Sequence, residues 1–431
     1  MKKLLIPFAI ATTTFQISGQ SYDLYHIGSM NDTVVTPERG IVLMGGGGEN
    51  DQAMRWFLQR ANGGDVVVLR TSGGAGYQNY LYHQLNVPIH SVRTLVLKSR
   101  QHSFDSVVVD ILSKAEAIWI AGGNQATYVN FWKNTPVDSL INHLYHSKGG
   151  VVGGISAGMA VLTGYYYSAL NASAESNVVL MNPFHASITL GANDFIQLPH
   201  LQRVIGDTHL NNPDRRGRLT VFMARLLADH GHPVLGIGVN EYSAVCINDS
   251  GIARVFGEYP KYPDDRATFV RLGCVPPFEP ENLQQNTPLT WNRSNAALFA
   301  FVAPADTLGS VTLDLNDWKT STGGGFWENW YVINGSFSSV PASHTPTCSA
   351  YSGLGFPDEG SHLRGGVSPN PAVDKLTIQI SHPGDYTITD VTGRIIRVGH
   401  WSPGEFISVS ELHSGLYMIQ IHGYTFKFNK I

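Results

Sequence analysis

Cysteine is scarce in this 431-residue chain: Cys246, Cys274 and Cys348 are the three present, and none sits in a CxxC spacing. That excludes a structural zinc site built on paired cysteines and a thioredoxin-type redox pair, and it leaves a Cys274–Cys348 disulfide open. Charge is scarce as well. Asp, Glu, Lys and Arg make up 14 % of the residues and the formal net charge is −4. Without a basic face to neutralise phosphates or anionic headgroups, neither nucleic acid nor an anionic lipid surface is an expected partner. Beyond the first twenty residues there is no apolar run of membrane-spanning length, so no stable membrane span is expected. Glycine is abundant, at 45 residues beside 22 prolines and 43 % apolar content. This is the composition of a folded, loop-rich protein, and the length calls for two or three domains.

The N-terminus reads Met1-Lys2-Lys3, an apolar run from Leu4 to about Ile17, then Ser18-Gly19-Gln20. A basic start, a short apolar stretch and small residues are the parts of a secretory signal, assigned here to residues 1–20. Pro7 and the threonines Thr12 to Thr14 make the same stretch a poor buried helix.

From Pro37 to Gly257, short apolar runs ending in glycine alternate with longer amphipathic segments. Gly40 to Met44 leads into Gly45 to Gly48, and Asp51 to Arg60 then has helical spacing with Met54, Phe57 and Leu58 on one side. Asp65 to Leu69, Ser91 to Leu97, Ala117 to Ala121, Val151-Val152 and Val234 to Val239 are further apolar runs. Continuous apolar strands separated by helices predict an α/β domain with a parallel sheet covered on both faces, over about residues 37–275. Ligands of such sheets bind at the carboxyl ends of the strands, where these glycine clusters fall.

Residues 276–362 change in character to Pro, Asn, Thr, Ser and aromatics without helical period, which predicts a β-rich extension packed on or following the first domain. Residues 366–431 read as a separate small all-β sandwich, with alternating apolar positions such as Leu376, Ile378 and Ile380 and frequent Gly and Pro turns.

The chemistry concentrates at Gly154-Ile155-Ser156-Ala157-Gly158. Glycines on both sides of a serine permit a sharp strand-to-helix turn that projects the hydroxyl, with helix-start amides beside it. A nucleophilic serine needs a base, and the base an orienting acceptor. His209, in "GDTHLNNPDRRGRL", stands between a short apolar segment and a helix start; Glu175, in "NASAESNVVLMNP", could hold its other ring nitrogen. Gly122 and Gly123 end an apolar strand, so either amide could serve as one oxyanion donor, with Ala157 as the other. Arg215 and Arg218, three apart at a helix start, could grip a substrate carboxylate or pair with Asp207 and Asp214.

Two family resemblances follow from these residues. "MGGGGEND", "IAGGNQ", "GGISAG", "SAE…NP", "DTHLNNPDRRGRL" and "GIGVNEYSAV" occur in the order and spacing of the cyanophycinase and dipeptidase E group of serine peptidases, family S51, over about residues 40–257. The resemblance implies a flavodoxin-like or class I amidotransferase-like α/β fold, no metal or cofactor, and cleavage beside aspartyl residues. It makes Ser156 the nucleophile, His209 the base, Glu175 the candidate third member, Gly123 and Ala157 the oxyanion amides, and Gln125 a pocket residue; beside that carry-over, Thr208, Arg215 and Arg218 are candidate substrate-binding residues. The cyanophycin-degrading pattern has Gln and Arg where this chain has Thr208 and Pro213. That departure argues against cyanophycin itself as substrate, while the accessory region and the C-terminal module point to an extracellular peptide.

The second resemblance, over residues 366–431, is to the C-terminal sorting domain of the type IX secretion system. Ser368-Pro369-Asn370-Pro371, Asp390-Val391-Thr392-Gly393-Arg394, Ser414-Gly415-Leu416-Tyr417 and the terminal Phe426 to Lys430 carry it. It implies handling by that secretion machinery and a secreted or surface-attached protein of a Bacteroidetes-type bacterium.

The expectation is therefore a secreted serine peptidase acting on a peptide substrate. Two readings compete: a non-catalytic surface binding protein on the same fold, and an α/β-hydrolase esterase, which shares the order Ser, acid, His. The apolar run at Val234 to Val239 follows His209, whereas in the esterase fold the histidine follows the last major strand.

Overall fold

The computed structural model describes residues 22–274, 276–348, 350, 367–368, 372–378, 384–390, 394–402, 404–421 and 424–430. The export signal assigned to residues 1–20, Ile380 and parts of the C-terminal motifs, 369–371 and 391–393, lie outside the described residues. The chain divides into two units, 1–354 and 355–431.

The first unit is built on two sheets. Its strands begin with β1 (Asp23–Gly28), β2 (Gly40–Met44), β3 (Asp65–Arg70), β4 (Ser91–Val96), β5 (Ala117–Ile120) and β6 (Val151–Ile155). There follow β7 (Tyr165–Tyr167), β8 (Leu190–Ala192), β9 (Val204–Thr208), β10 (Leu235–Val239), β11 (Ala244–Asn248) and β12 (Ile252–Phe256). The last six are β13 (Arg266–Leu272), β14 (Leu298–Pro304), β15 (Thr312–Asp314), β16 (Ser321–Thr322), β17 (Phe326–Ile333) and β18 (Ser336–Pro341).

The first sheet has the order β1-β4-β3-β5-β6-β2-β11-β12-β15-β16. Its centre, β4-β3-β5-β6-β2, is parallel, and antiparallel strands flank it. The apolar runs produce this centre because both faces are covered. Ile41 and Leu43 of β2 pack into one core, and Val42 and Met44 into the other. That split follows the two-residue period of a strand. On the Val42 side lies the Asp51–Arg60 helix, which buries Ala53, Met54, Phe57 and Leu58. It starts where the Asn50 side chain accepts the Gln52 and Ala53 N–H groups, which the helix itself leaves without partners. On the Ile41 side lie the helices Ser106–Lys114, Gln125–Trp132 and Pro136–His143, together with the inner face of the second sheet, which contributes Ile237, Val239, Phe269 and Phe301.

That second sheet has the order β18-β17-β14-β13-β10-β9-β7-β8. Among the described residues, β9 pairs in parallel with β10 and with β7, and the other neighbouring strands pair antiparallel. Its outer face is covered by the helices Ser176–Met181 and Arg216–His230. Gly236 and Gly238 open that face: a Cβ at Gly238 would fall 2.6 Å from the Leu210 side chain.

The aromatic region after Cys274 is continuous with both sheets. β14, β17 and β18 extend the second sheet from β13, and β15 and β16 extend the first from β12. Trp291, Trp318 and Trp330 are fully buried there. A Cys274–Cys348 disulfide ties the two ends of this region together, with a Cα–Cα distance of 5.7 Å. Cys246 is free and buried, and burial pushes its thiol pKa up.

The second unit, described by itself, is all β. It contains β19 (Val367–Ser368), β20 (Lys375–Ile378), β21 (Gly384–Asp390), β22 (Ile395–Trp401), β23 (Ile407–Ser408), β24 (Gly415–Ile421) and β25 (Tyr424–Lys430). Among the described residues these form a β19-β20-β23 sheet and a β22-β21-β24-β25 sheet around Leu376, Ile378, Ile388, Trp401, Ile419 and Phe428.

Candidate active site

The chain leaves β6 through Ser156 and enters the short helix Ala157–Ala160 at once. Ser156 has φ 53° and ψ −119°, a backbone that L-residues rarely adopt, and the turn stores strain at the hydroxyl-bearing residue. The flanking glycines are required by close approach. A Cβ on Gly158 would fall 2.1 Å from the Ile120 carbonyl oxygen, and one on Gly154 would fall 2.6 Å from the Gly158 backbone. The Ser156 N–H donates to the Met44 carbonyl at 2.9 Å, which fixes the turn against the end of β2.

His209 follows the last residue of β9, again with positive φ (50°), and its N–H donates to the Gly45 carbonyl at 2.9 Å. Its ring lies against Gly46, where a Cβ would come within 2.3 Å of Cε1 and Nε2. The glycine run after β2 thus makes room for an imidazole. His209 Nε2 is 2.8 Å from Ser156 Oγ. On the other side of the ring, Nδ1 is 2.6 Å from Glu241 Oε1. A carboxylate only accepts, so Nδ1 carries the proton and Nε2 is left as the acceptor for the serine hydroxyl. The hydrogen bond from His209, helped by that from Asn212 and by the Arg215 charge, holds the Glu241 carboxyl below the usual range against the opposing effect of burial.

Glu241 corrects the expectation for the third member. Glu175 is exposed, stands before the Ser176–Met181 helix, and acts electrostatically on Arg215 and Arg218. The carboxylate at His209 instead comes from the loop after β10. β9 and β10 run parallel with Thr208 opposite Val239, so the residues just past each strand end lie side by side. Glu241 stands in "GIGVNEYSAV", and an acid two residues beyond a predicted strand was the signal that could have found it.

The other expected residues divide. Gly122 and Gly123 follow the end of β5, and a Cβ on Gly122 would meet Ser156 Cβ at 3.7 Å. The Tyr128 hydroxyl donates to the Ala121 and Gly122 carbonyls at 2.9 and 3.0 Å and fixes this strand end. Ala157 heads its helix, so its N–H has no intrahelical acceptor. Gln125 is half-buried at the start of its helix, on the same loop as Gly123.

Arg215 is half-buried, and one of its N–H groups donates to the Thr208 carbonyl at 3.0 Å. Burial, and then the Arg218 charge, press its pKa down. Thr208 itself is buried, so what it offers is that carbonyl and not a side chain for substrate. Arg218 is also buried. Its guanidinium makes a two-bond pair with Asp207, at 2.6 and 2.9 Å, and donates to the Ala174 carbonyl. It is buried against these internal acceptors, so it is no grip for substrate. Helical spacing does set 215 and 218 on one side, but that side turns inward at 218.

Residues 71–255, which include Ser156, His209 and Glu241, match the family model of Peptidase family S51, and residues 366–430 match that of the Secretion system C-terminal sorting domain. The cyanophycinase of Synechococcus elongatus is 28 % identical over 229 residues, which are 51 % of this chain and 66 % of that protein. The cyanophycinase of Geminocystis herdmanii is 26 % identical over 230 residues, 51 % of this chain and 78 % of its own. Among solved structures, a peptidase from an acI-B1 Actinobacterium aligns with a TM-score of 0.39 at 14 % identity, covering 54 % of this chain and 90 % of that one. The chain thus joins a region similar to Peptidase family S51 to one similar to the secretion sorting domain.

Proposed function

We propose, taking the S51-type region and the sorting domain as the premise, that this protein is an exported serine peptidase of cyanophycinase-like type. It hydrolyses peptide or isopeptide bonds beside acidic residues through an acyl-enzyme. The observation that carries this reading is the unbroken hydrogen-bond chain from Ser156 Oγ through His209 to Glu241.

In this mechanism Ser156 Oγ attacks the scissile carbonyl as its proton passes to His209 Nε2, and Glu241 stabilises the imidazolium so formed. The amides of Gly123 and Ala157 receive the charge that develops on the carbonyl oxygen. The C–N bond then breaks as Nε2 returns the proton to the leaving amine. Water, deprotonated by the same nitrogen, cleaves the ester. Arg215 is the cation for an acidic side chain of the substrate, with Gln125 lining the other side. The assigned export signal, residues 37–275 as catalytic domain, and residues 276–362 as its extension complete the proposed organisation.

Labelling with a serine-directed fluorophosphonate, followed by digestion and mass mapping, tests the reading. Label on Ser156 that is lost in Ser156→Ala supports it, and a folded wild-type protein that takes no label refutes it. Cleavage of a library of acidic and β-aspartyl peptides then identifies the bond.

A further inference from the structure

We propose that Asn211 and Asn212 are positioning residues that together hold Glu241 in the orientation placing Oε1 on His209. The inference rests on the triad reading above, and it assigns two neighbouring amides opposite duties.

Glu241 sits on a loop and is partly exposed, and a glutamate side chain has several rotatable bonds to restrict before one oxygen can stay on an imidazole. Two contacts supply that restriction. The Glu241 N–H donates to Asn211 Oδ1 at 3.0 Å, which fixes the backbone. Asn212 Nδ2 donates to Glu241 Oε2 at 3.1 Å, which fixes the carboxylate plane and leaves Oε1 for His209 Nδ1. The chemistry settles which end of each amide is used: a backbone N–H only donates, and an ionised carboxylate only accepts. Asn211 therefore acts through its carbonyl and Asn212 through its NH₂.

The asparagines are themselves anchored. The Asn212 N–H donates to the His209 carbonyl at 3.0 Å, and Arg215 N–H to the Leu210 carbonyl at 2.8 Å. A β-bridge joins Asn211 to Asp214. Asp214 is gripped by Arg216 through two bonds of 2.9 and 2.6 Å, and Arg216 also donates to Ser339 Oγ on β18 at 3.1 Å. The loop that presents the clamp is thereby fastened to the region after Cys274. The charged groups facing Glu241 are His209 and Arg215, and neither duplicates the Asn212 contact.

Isosteric substitutions separate the two duties. In the full-length protein, Asn211→Asp keeps an acceptor for the Glu241 N–H. Asn212→Asp replaces the donor with a like charge against the carboxylate. Two readouts apply: the second-order rate of fluorophosphonate labelling at Ser156, and the far-downfield proton signal of His209 Nδ1–H in NMR. Asn212→Asp should label about 10- to 100-fold more slowly and shift or lose the downfield signal, the scale of a lost hydrogen bond to a charged group. Asn211→Asp should stay within about threefold of wild type with the signal in place, while Asn211→Ala slows labelling. Should Asn212→Asp fail to melt cooperatively, Asn212→Leu removes the donor without adding charge and carries the same expectation. Equal labelling rates in the two Asp variants, or an unmoved signal in the Asn212 variant, overturn the proposal. A wild type that takes no label, with a signal that moves in the Asn212 variant alone, refutes the peptidase reading and supports the clamp.

Discussion

His209 Nδ1 and Glu241 Oε1 stand 2.6 Å apart although 32 residues separate them in the chain, because the parallel neighbours β9 and β10 deliver both side chains just past their carboxyl ends. Glu241→Gln replaces the acceptor with an amide and invites the wrong histidine tautomer. The rate of phosphonate labelling at Ser156 should fall by about 10³-fold or more, as when an orienting carboxylate is removed from a triad. Glu175→Gln should stay within about twofold of wild type, the range of an exposed substitution. The reverse ranking would restore Glu175 as the acid.

Acid should dissolve this relationship. The native Glu241 carboxyl lies below its ordinary value, so the pairing with His209 and Asn212 stabilises the fold fully above the usual glutamate range and is lost as pH falls through the depressed native value. Melting temperatures of wild type and Glu241→Gln should differ near neutrality and converge in acid. A gap independent of pH would contradict the assignment.

Arg215 and Arg218 are expected to fail in different ways. Arg215→Ala should raise KM for acidic substrates while leaving phosphonate labelling of Ser156 near wild type. Arg218→Met strands the buried Asp207 charge and should cost about 3–5 kcal/mol of stability, read from denaturant melts. If Arg218→Met left stability intact and raised KM instead, Arg218 would be the substrate cation.

Gly46→Ala tests the glycine loop. Its Cβ would enter the His209 ring, so Ser156 labelling should fall sharply in a protein that still melts cooperatively. Unchanged labelling would mean that the ring has room to retreat.

The Cys274–Cys348 bridge closes a separation of 74 residues, and Cys274→Ser with Cys348→Ser should lower stability by about 2–5 kcal/mol. Equilibrium unfolding in non-reducing buffer, compared with wild type, measures the difference.

The two side chains that meet at 2.8 Å, Ser156 and His209, were legible as candidates because each sits in a short stretch whose own residues announce it: glycines around Ser156, and a strand end before His209. The parallel first sheet was legible for the same reason, since its runs are locally apolar on both faces. The acid was not, since pairing Glu241 with His209 depends on β9 and β10 lying side by side, and that neighbour relation is written in no local pattern. Glu175 drew attention by falling between the serine and histidine in sequence, where order mimics proximity. Arg218 misled in another way: spacing tells which residues share a helix side but not whether that side meets solvent or an internal aspartate. The region after Cys274 reads from its composition as a β-rich extension packed on or following the first domain, and its strands find their partners in β12 and β13.

Ser156 stands at the end of a strand of the first sheet, His209 and Glu241 at the ends of two strands of the second. The 2.8 Å contact between serine and histidine is therefore a gauge of how the two sheets are seated on each other. A core substitution between them, such as one at Ile237 or Phe269, would register first as lost turnover and only later as lost fold.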